Sequence, residues 1–443
     1  MGAQAGPVVV IGGGIAGLTA GWTLARAGRA VVVLEAGPRP GGVIASTDGD
    51  GFVMEGGADS FLTVKPEGDA LCRELGLEAE VVGTLPSAGA QILHRGRMEP
   101  LPAGWRMAAP TRLRPVMATT RLLPLRAKIA IALHWRRKAE PRDDETVGAF
   151  LRRRFGDTGG RAIASAIAGP LLGGVYGGDL EKLGAAQALG VGAKSAAVKP
   201  GTPLFHSLRR GMGGMIEALA AGLERLQPGS VRTGCTVTAV GAEAAGFRVA
   251  LAGREEIAAP AVIVATPAWR AAELLRGLDA ELAAALQAIP YVSSVNINMA
   301  YRSAPAIPAG HGFLAGGGYR PLLACTFAHQ KFPGRAPAGA ALLRLFYSAE
   351  AAEWPDARLQ QQAMADVRRA LGVAQAADAV QIRRCLRALP QYGPGHGARV
   401  AALRQRLERW PGLRLAGNAY QGVGVPDCIA SGRTAAADLG APS

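Results

Sequence analysis

Three glycines and one acid carry the clearest chemistry in the chain. Gly12, Gly14 and Gly17 stand at G-x-G-x-x-G spacing inside Val8-Val-Val-Ile-Gly12-Gly13-Gly14-Ile15-Ala16-Gly17-Leu, and Glu35 follows Gly17 by 18 residues at the end of Val31-Val-Val-Leu. Their chemistry is to hold a dinucleotide, not to break a bond. Gly12 makes a tight turn, Gly14 admits a pyrophosphate to the backbone, and Gly17 lets a helix pack closely on a strand. The unpaired N–H groups of that helix face the phosphates. Glu35 accepts hydrogen bonds from the adenosine ribose. No Ser-His-Asp constellation and no catalytic pair of carboxylates is evident in the sequence.

Such a motif works only inside a βαβ unit, and the sequence around it has that form: a β-branched apolar run, a helical stretch, a second β-branched run and a closing acid. Further elements serve the same sheet. Asp50-Gly-Phe-Val-Met-Glu55-Gly-Gly57-Ala58-Asp59-Ser60-Phe61 reads as a strand entering a glycine turn, with a helix near Pro66 to Leu75. Gly211-Met-Gly213-Gly214-Met215 opens another helix, and Ala261-Val-Ile-Val-Ala265-Thr266-Pro267 repeats the apolar strand that stops in small residues. Leu413 to Ala416, Gly417 to Gly424 and the residues after Val425 read as strand, glycine-rich loop and helix. The nucleotide domain is therefore discontinuous. A second glycine loop before a helix favours a flavin over a nicotinamide, because the N1–C2=O edge of an isoalloxazine gains negative charge on reduction and a helix N-terminus stabilises it. Ser293 to Tyr301 and Ala341 to Tyr347 read as strands of a second sheet, and Leu85 to Pro200 as an arginine- and proline-rich helical region.

The expected fold is α/β: a discontinuous Rossmann-like FAD-binding domain with an inserted α+β substrate domain and a helical subdomain. The divisions expected are 1–84, 205–290 and 411–443 for FAD, 85–204 helical and facing substrate or membrane, and 291–410 for the substrate sheet. With 443 residues the chain can bury cores for two or three such units. No apolar run of about 18 residues is free of charge and proline, and no basic segment precedes the first apolar run, so neither a spanning helix nor a signal peptide is expected. Five scattered cysteines (Cys72, Cys235, Cys325, Cys385, Cys428) without C-x-x-C, and six histidines without ligand spacing, point to a reducing compartment and to no metal. The net charge of +15 can attract anionic substrate or lipid, while an aromatic content of 5% and the lack of a recognition motif argue against nucleic acid. Thr111 to Lys138 sets Arg112, Arg114, Arg121, Arg126, Lys128, Arg136, Arg137 and Lys138 among Leu122, Leu123, Leu125, Ile129, Ile131, Leu133 and Trp135. That pattern fits either a helix lying on anionic lipid or an arginine-rich helix covering a pocket.

Over essentially its whole length the chain resembles the oxygen-dependent protoporphyrinogen oxidase and coproporphyrinogen III oxidase family of the FAD amine-oxidase superfamily. The segments that carry the resemblance, besides the first fingerprint, are Glu35-Ala36 with Gly41-Gly42, Glu55 to Phe61, Gly173-Gly-Val-Tyr176-Gly-Gly-Asp179, Gly213-Gly214-Met, Leu389-Pro-Gln-Tyr392 with His396, and Gly417-Asn418 through Val425-Pro-Asp427-Cys428-Ile. The resemblance implies FAD contacts at Gly12, Gly13, Gly14, Ile15, Ala16 and Gly17, at Glu35, Ala36, Gly42 and Val43, and at Gly57, Ala58, Asp59 and Ser60. It implies further contacts at Val237 (backbone), Asn418, Val423, Gly424 and Val425. Many relatives pair an arginine with a substrate propionate where Pro86-Ser-Ala-Gly-Ala90-Gln91 here presents Ala90. Phe150 to Asp157 and Pro170 to Tyr176 instead resemble the soluble branch of Gram-positive-type bacteria, which oxidises coproporphyrinogen III. By position alone, Lys65, Arg95, Arg97 and Arg209 are candidates for holding propionates.

The activity implied is oxidation of a porphyrinogen by O2 with release of hydrogen peroxide, in heme biosynthesis. It would run in the cytoplasm, with peripheral contact to the inner face of the membrane and handover of product to the next enzyme as further expectations. A carotenoid desaturase or amine oxidase, sharing fold and first fingerprint, is the alternative within enzymes. A desaturase calls for a long apolar tunnel, a porphyrinogen oxidase for a broad pocket with basic residues. A nonenzymatic FAD-dependent scaffold is the alternative outside them.

Overall fold

The computed structural model describes residues 6–86, 89–102, 105–106, 109–110, 112–118, 120–137, 139–193, 201–316 and 318–440. Thr111 and Lys138 of the basic stretch, and Ser87 and Ala88 beside the Ala90 departure, lie outside the described residues.

Five strands form one parallel sheet, and its three central ones are unbroken apolar runs buried throughout. Its order is Val231–Arg232, Val31–Leu34, Val8–Ile11, Val262–Val264, Leu413–Leu415. Start, middle and end of the chain therefore meet in a single sheet, as the repeated apolar pattern predicts. One face packs on the helices Ile15–Arg26, Gly213–Leu226 and Val425–Gly440. The other packs on Ala268–Leu275, Ala280–Gln287 and an antiparallel trio of strands, Val237–Glu243, Gly246–Leu251 and Glu256–Ala259.

The second sheet has seven strands: Ala379–Pro390, Tyr291–Tyr301, Ala341–Tyr347, Leu322–Phe327, Gly312–Ala315, Ala90–His94 and Arg97–Pro100, in that spatial order. Period-two alternation assigns its faces. Val295, Ile297, Met299 and Tyr301 pack with Leu359, Ala363 and Val367 of the helix Asp356–Leu371. Asn296 and Asn298 point the other way, and their side-chain amides donate to the carbonyls of Gly56 (2.9 Å) and Glu55 (3.0 Å) of the nucleotide domain. This sheet changes one expectation. Residues 90–100 are not part of a helical region, because Ala90–His94 pairs in parallel with Gly312–Ala315 and brings its hairpin partner along.

The rest of that region is largely helical. Val147–Ile163 continues through a widened π turn at Ala164–Ala168 into Gly169–Tyr176, where Pro170 has no amide to carry on the regular ladder. The short helix Leu125–Leu133 buries Ala127 and Ile131 against Phe150, Leu151 and Phe155. Its opposite face is apolar too: Leu125, Ile129 and Leu133 are 71%, 50% and 78% exposed. The helix thus covers a core on one side and presents an apolar stripe on the other. Among the described residues, no helix is long and apolar enough to cross a membrane.

Candidate functional site

At the C-terminal ends of the parallel strands lies a cleft enclosing about 430 Å³. Gly12, Gly14, Ile15, Ala16, Glu35, Ala36, Gly42, Val43, Ala58, Val237, Asn418, Val423 and Val425 line it, together with Cys235, Thr236, Trp269, Arg270, Ala388 and Cys428. The three fingerprint glycines have separable roles. A Cβ on Gly17 would stand 1.9 Å from the Gly12 carbonyl oxygen, so this glycine belongs to helix–strand packing and not to the cleft. Gly12 has φ +106° and its Cβ would meet the Ala265 carbonyl at 2.9 Å. Gly14 differs from both, because its Cβ would meet no protein atom within 4 Å. Nothing in the fold asks for a glycine there. The space beside it, at a helix N-terminus, is what a pyrophosphate requires.

Glu35 sits at the tip of its strand. Its carboxylate accepts from the backbone N–H of Gly13 and of Gly37, each at 2.8 Å. A carboxylate offers about four acceptor positions, so two remain for ribose hydroxyls. Glu35→Ala should weaken FAD binding by about 1.5–3 kcal/mol, or one to two orders of magnitude in Kd. Fluorescence titration of apoprotein with FAD checks this. An unchanged Kd would reduce Glu35 to a cap for the Gly13 and Gly37 amides.

Six of the expected cofactor contacts do not line the cleft. Gly13 is occupied with Glu35, and Gly17 with the turn beneath it. Gly57 packs against the backbone of Val43, and Gly424 donates to Asp427 at 3.1 Å. Asp59 is engaged by the Lys331 ammonium at 2.9 Å and by Arg344 at 3.8 Å, and the Ser60 hydroxyl donates to it at 2.6 Å. Burial raises the Asp59 pKa, but Lys331 and then Arg344 outweigh it and hold the carboxyl well below its usual range. Its role in this structure is electrostatic, at the seam between the two sheets.

The same seam holds Glu55 and Arg335, 3% and 1% exposed, with 3.6 Å between their charged groups. The Ser46 hydroxyl (2.6 Å) and the Met212 amide (2.8 Å) donate to Glu55. Arg335 donates to the Ser207 hydroxyl at 2.6 Å and to the Arg209 carbonyl at 3.2 Å. The propionate candidates fare differently. Lys65 is bound to Asp427 at 2.5 Å, both largely buried, so its charge is already matched. Arg95 lies in an exposed hairpin turn with φ 49°, and Arg97 and Arg209 are exposed. None of the four lines the cleft.

The cleft-lining Asn418 is held from two sides. The Tyr392 hydroxyl donates to its carbonyl, and its own amide donates to the Ala388 carbonyl at 3.1 Å. Tyr392 stacks on His396, with ring centroids 4.1 Å apart and planes 13° apart. His396 is 1% exposed, and its burial, with Arg399 nearby, lowers its pKa to about 4, so the ring is neutral at pH 7. The fold thus supplies a reason for the Leu389-Pro-Gln-Tyr392 and His396 pattern: it fixes the glycine-rich loop. Trp269 and Arg270, unassigned from sequence, enter the cleft because the strand Val262–Val264 stops at Thr266-Pro267 and starts a helix there.

A parallel sheet gathered from three stretches of chain, with a glycine cradle at its edge and a second sheet across the cleft, defines a two-domain dinucleotide flavoprotein. The family described as flavin containing amine oxidoreductase matches residues 15–440. The chain belongs to this family, in the branch that holds the coproporphyrinogen III and protoporphyrinogen oxidases, and its cofactor is FAD. It is 31% identical to the coproporphyrinogen III oxidase of Propionibacterium freudenreichii subsp. freudenreichii, over 98% of this chain and 90% of that one. It is 30% identical to the protoporphyrinogen oxidase of Homo sapiens, over 98% of each. A crystal structure from Exiguobacterium sp. 255-15, provisionally assigned as a protoporphyrinogen oxidase, superposes with a TM-score of 0.85 at 30% identity, covering 99% of this chain and 100% of that one.

Proposed function

We propose that the protein oxidises a porphyrinogen to the porphyrin in heme biosynthesis, coproporphyrinogen III ahead of protoporphyrinogen IX. The observation that carries this reading is near-full-length similarity to relatives of those names, supported by a cleft that Gly12, Gly14 and Glu35 line. Gly12, Gly14 to Ala16, Glu35, Ala36, Gly42, Val43, Ala58, Val237, Asn418, Val423 and Val425 would hold FAD. When bound, FAD supplies a two-electron acceptor that O2 restores with release of hydrogen peroxide. Three rounds remove six hydrogens from the macrocycle and convert three O2 to three hydrogen peroxide. Among the described residues lining the cleft, Glu35 is the sole carboxylate and there is no histidine, and Glu35 is tied to backbone amides. This cleft therefore offers position and exclusion of water, with no acid–base pair among its described lining residues.

Ala90 is exposed at the start of its strand, and its departure from the arginine pattern is taken as a mark of the branch that oxidises coproporphyrinogen III, the substrate with four propionates. Arg95, Arg97 and Arg209 supply exposed cations for carboxylates, and Lys65 would do so only by releasing Asp427. Coproporphyrinogen III should be turned over faster than protoporphyrinogen IX. Its KM should rise between 0.05 and 0.5 M salt, since exposed ion pairs are screened over roughly 10 Å at 0.1 M. Steady-state assays with both substrates decide the matter: a preference for protoporphyrinogen IX without a salt effect overturns the branch assignment.

The outward stripe of Leu125, Ile129 and Leu133 is flanked by exposed Arg121, Arg126, Arg136 and Arg137, which matches an anionic bilayer surface. Vesicles containing phosphatidylglycerol should retain the protein in flotation at low salt. Leu125→Glu with Leu133→Glu should release it without loss of turnover in solution. Equal retention of that variant, or binding to neutral vesicles alone, would rule this surface out.

A further inference from the structure

Among the described residues that line the FAD cleft, Arg270 is the sole cation. Two contacts fix its guanidinium. One terminal nitrogen donates to the Glu273 carboxylate at 2.5 Å and the other to the Val237 carbonyl at 3.2 Å. With both arms of the fork held, the plane of the group keeps one orientation. Leu274, four residues further along the helix Ala268–Leu275 and therefore on the same face, is buried and lines the same cleft.

The contacts of this wall place it beyond the ribose. The Cys235 amide donates to the Glu35 carbonyl at 2.8 Å, so Cys235, Thr236 and Val237 carry the cleft onward from Glu35. Gly14 joins Glu35 through its own neighbour, Gly13, whose amide donates to the Glu35 carboxylate at 2.8 Å. The contacts thus run from Gly14 through Glu35 to Val237, and Arg270 meets them at Val237. Phosphate, ribose and base follow one another in the same order in the adenosine half of a dinucleotide. What reaches Arg270 is then a flat, uncharged heterocycle. The Arg270 charge is already matched by Glu273, which leaves the face of its plane as the better contact. Guanidinium planes stack on bases in this way, with an electrostatic gain from the π-face of the ring.

We propose that Arg270 is a binding residue for the adenine of FAD, with its guanidinium stacked on a face of the ring and Leu274 adding apolar contact at the same end. The inference rests on the assignment of FAD to this cleft. A phosphate is the competing contact for a cation here. Adenine is favoured because Arg270 is anchored on Val237, past the ribose, and not on the glycine turn that receives the pyrophosphate.

The test uses apoprotein of the full chain, titrated with FAD and, by displacement of FAD, with AMP and FMN. Each of these halves carries one phosphate, and AMP alone carries the adenine. Arg270→Ala removes the plane and the charge, while Arg270→Lys keeps a cation for Glu273 and so guards the fold. Arg270→Ala should weaken FAD and AMP by about tenfold or more and leave FMN as it was. Arg270→Lys should lose most of the same affinity, and both deficits should persist at about 0.5 M salt. Wild-type affinity for AMP in Arg270→Ala overturns the proposal. So does full affinity in Arg270→Lys, because charge alone would then suffice. Weakening of AMP and FMN alike, erased by salt, would assign the guanidinium to phosphate and overturn it equally. Failure of wild-type apoprotein to bind any FAD would count instead against the cofactor assignment.

Discussion

Gly14→Val is expected to yield a folded protein that purifies colourless. Gly14 has φ −71° and ψ 175°, a backbone open to any residue. A Cβ there touches no protein atom within 4 Å, so the substitution leaves the core as it was. The branched side chain instead fills the space into which phosphate oxygens must come to reach the helix amides. Loss of two or more charge-assisted hydrogen bonds should weaken FAD at least on the order of 100-fold. Gly17→Val is the counterpart, because its Cβ would lie 1.9 Å from the Gly12 carbonyl, and it should fail to fold whether FAD is present or not. Flavin absorbance per chain after purification, with urea unfolding of each apoprotein, separates the two. Retention of flavin by Gly14→Val would falsify the assignment of this cleft.

Arg335→Met should be the most damaging single change in the seam. Arg335 and Glu55 are both all but fully buried, and removing one partner leaves the other charged without compensation, at a cost of about 3–5 kcal/mol. The loss depends on pH. Burial pushes the Glu55 carboxyl above its ordinary value, against the pull of Arg335, Ser46, the Met212 amide and Arg344. Without Arg335 it rises further. The folded variant then binds a proton that the unfolded chain releases above about pH 4.3, so its stability falls as pH rises through that window. The deficit relative to wild type should be largest near neutrality and narrow towards pH 4.5. Glu55→Gln combined with Arg335→Met should recover most of the loss, because the amide oxygen still accepts from the Met212 N–H and the amide NH2 can donate to the Ser46 hydroxyl. Urea melts of the holoprotein at several pH values read this out, and a pH-independent deficit would show that volume, not charge, accounts for the effect.

What could be read from the chain alone was local chemistry. Gly12, Gly14, Gly17 and Glu35 lie within one βαβ unit, so their spacing contains their geometry. The strand Val262–Val264 was legible because a strand buried on both faces must be apolar throughout, and Leu413–Leu415 because a glycine-rich loop and a helix follow it. The ion pairs of Asp59 were not legible, because its cations lie far along the chain, Lys331 on the helix Ala328–Lys331 and Arg344 in the second sheet. Lys65 was likewise matched by an acid, Asp427, from the far end of the chain. Residues 90–100 were grouped with helices because their place is set by Gly312–Ala315, a partner that short-range pattern does not reveal. The break in pairing between Tyr291–Tyr301 and Ala379–Pro390, where Ser293 spans Leu386 to Ala388, had no signature at all, since it exists only in the register between two strands.

The order of the parallel sheet also governs when this protein can become itself. Val262–Val264 remains an open edge until Leu413–Leu415 has been made, and the cleft lacks Asn418, Val423 and Val425 until the chain has passed the same point. During synthesis, every earlier intermediate carries an unpaired apolar strand and an incomplete cradle. Contacts between distant stretches close slowly, and exposed strand edges invite aggregation while they wait. The complete cradle is available to FAD only when all three stretches are present, and FAD bound there would hold them together. Scarcity of flavin in a growing cell would then be felt as lost protein as well as lost turnover.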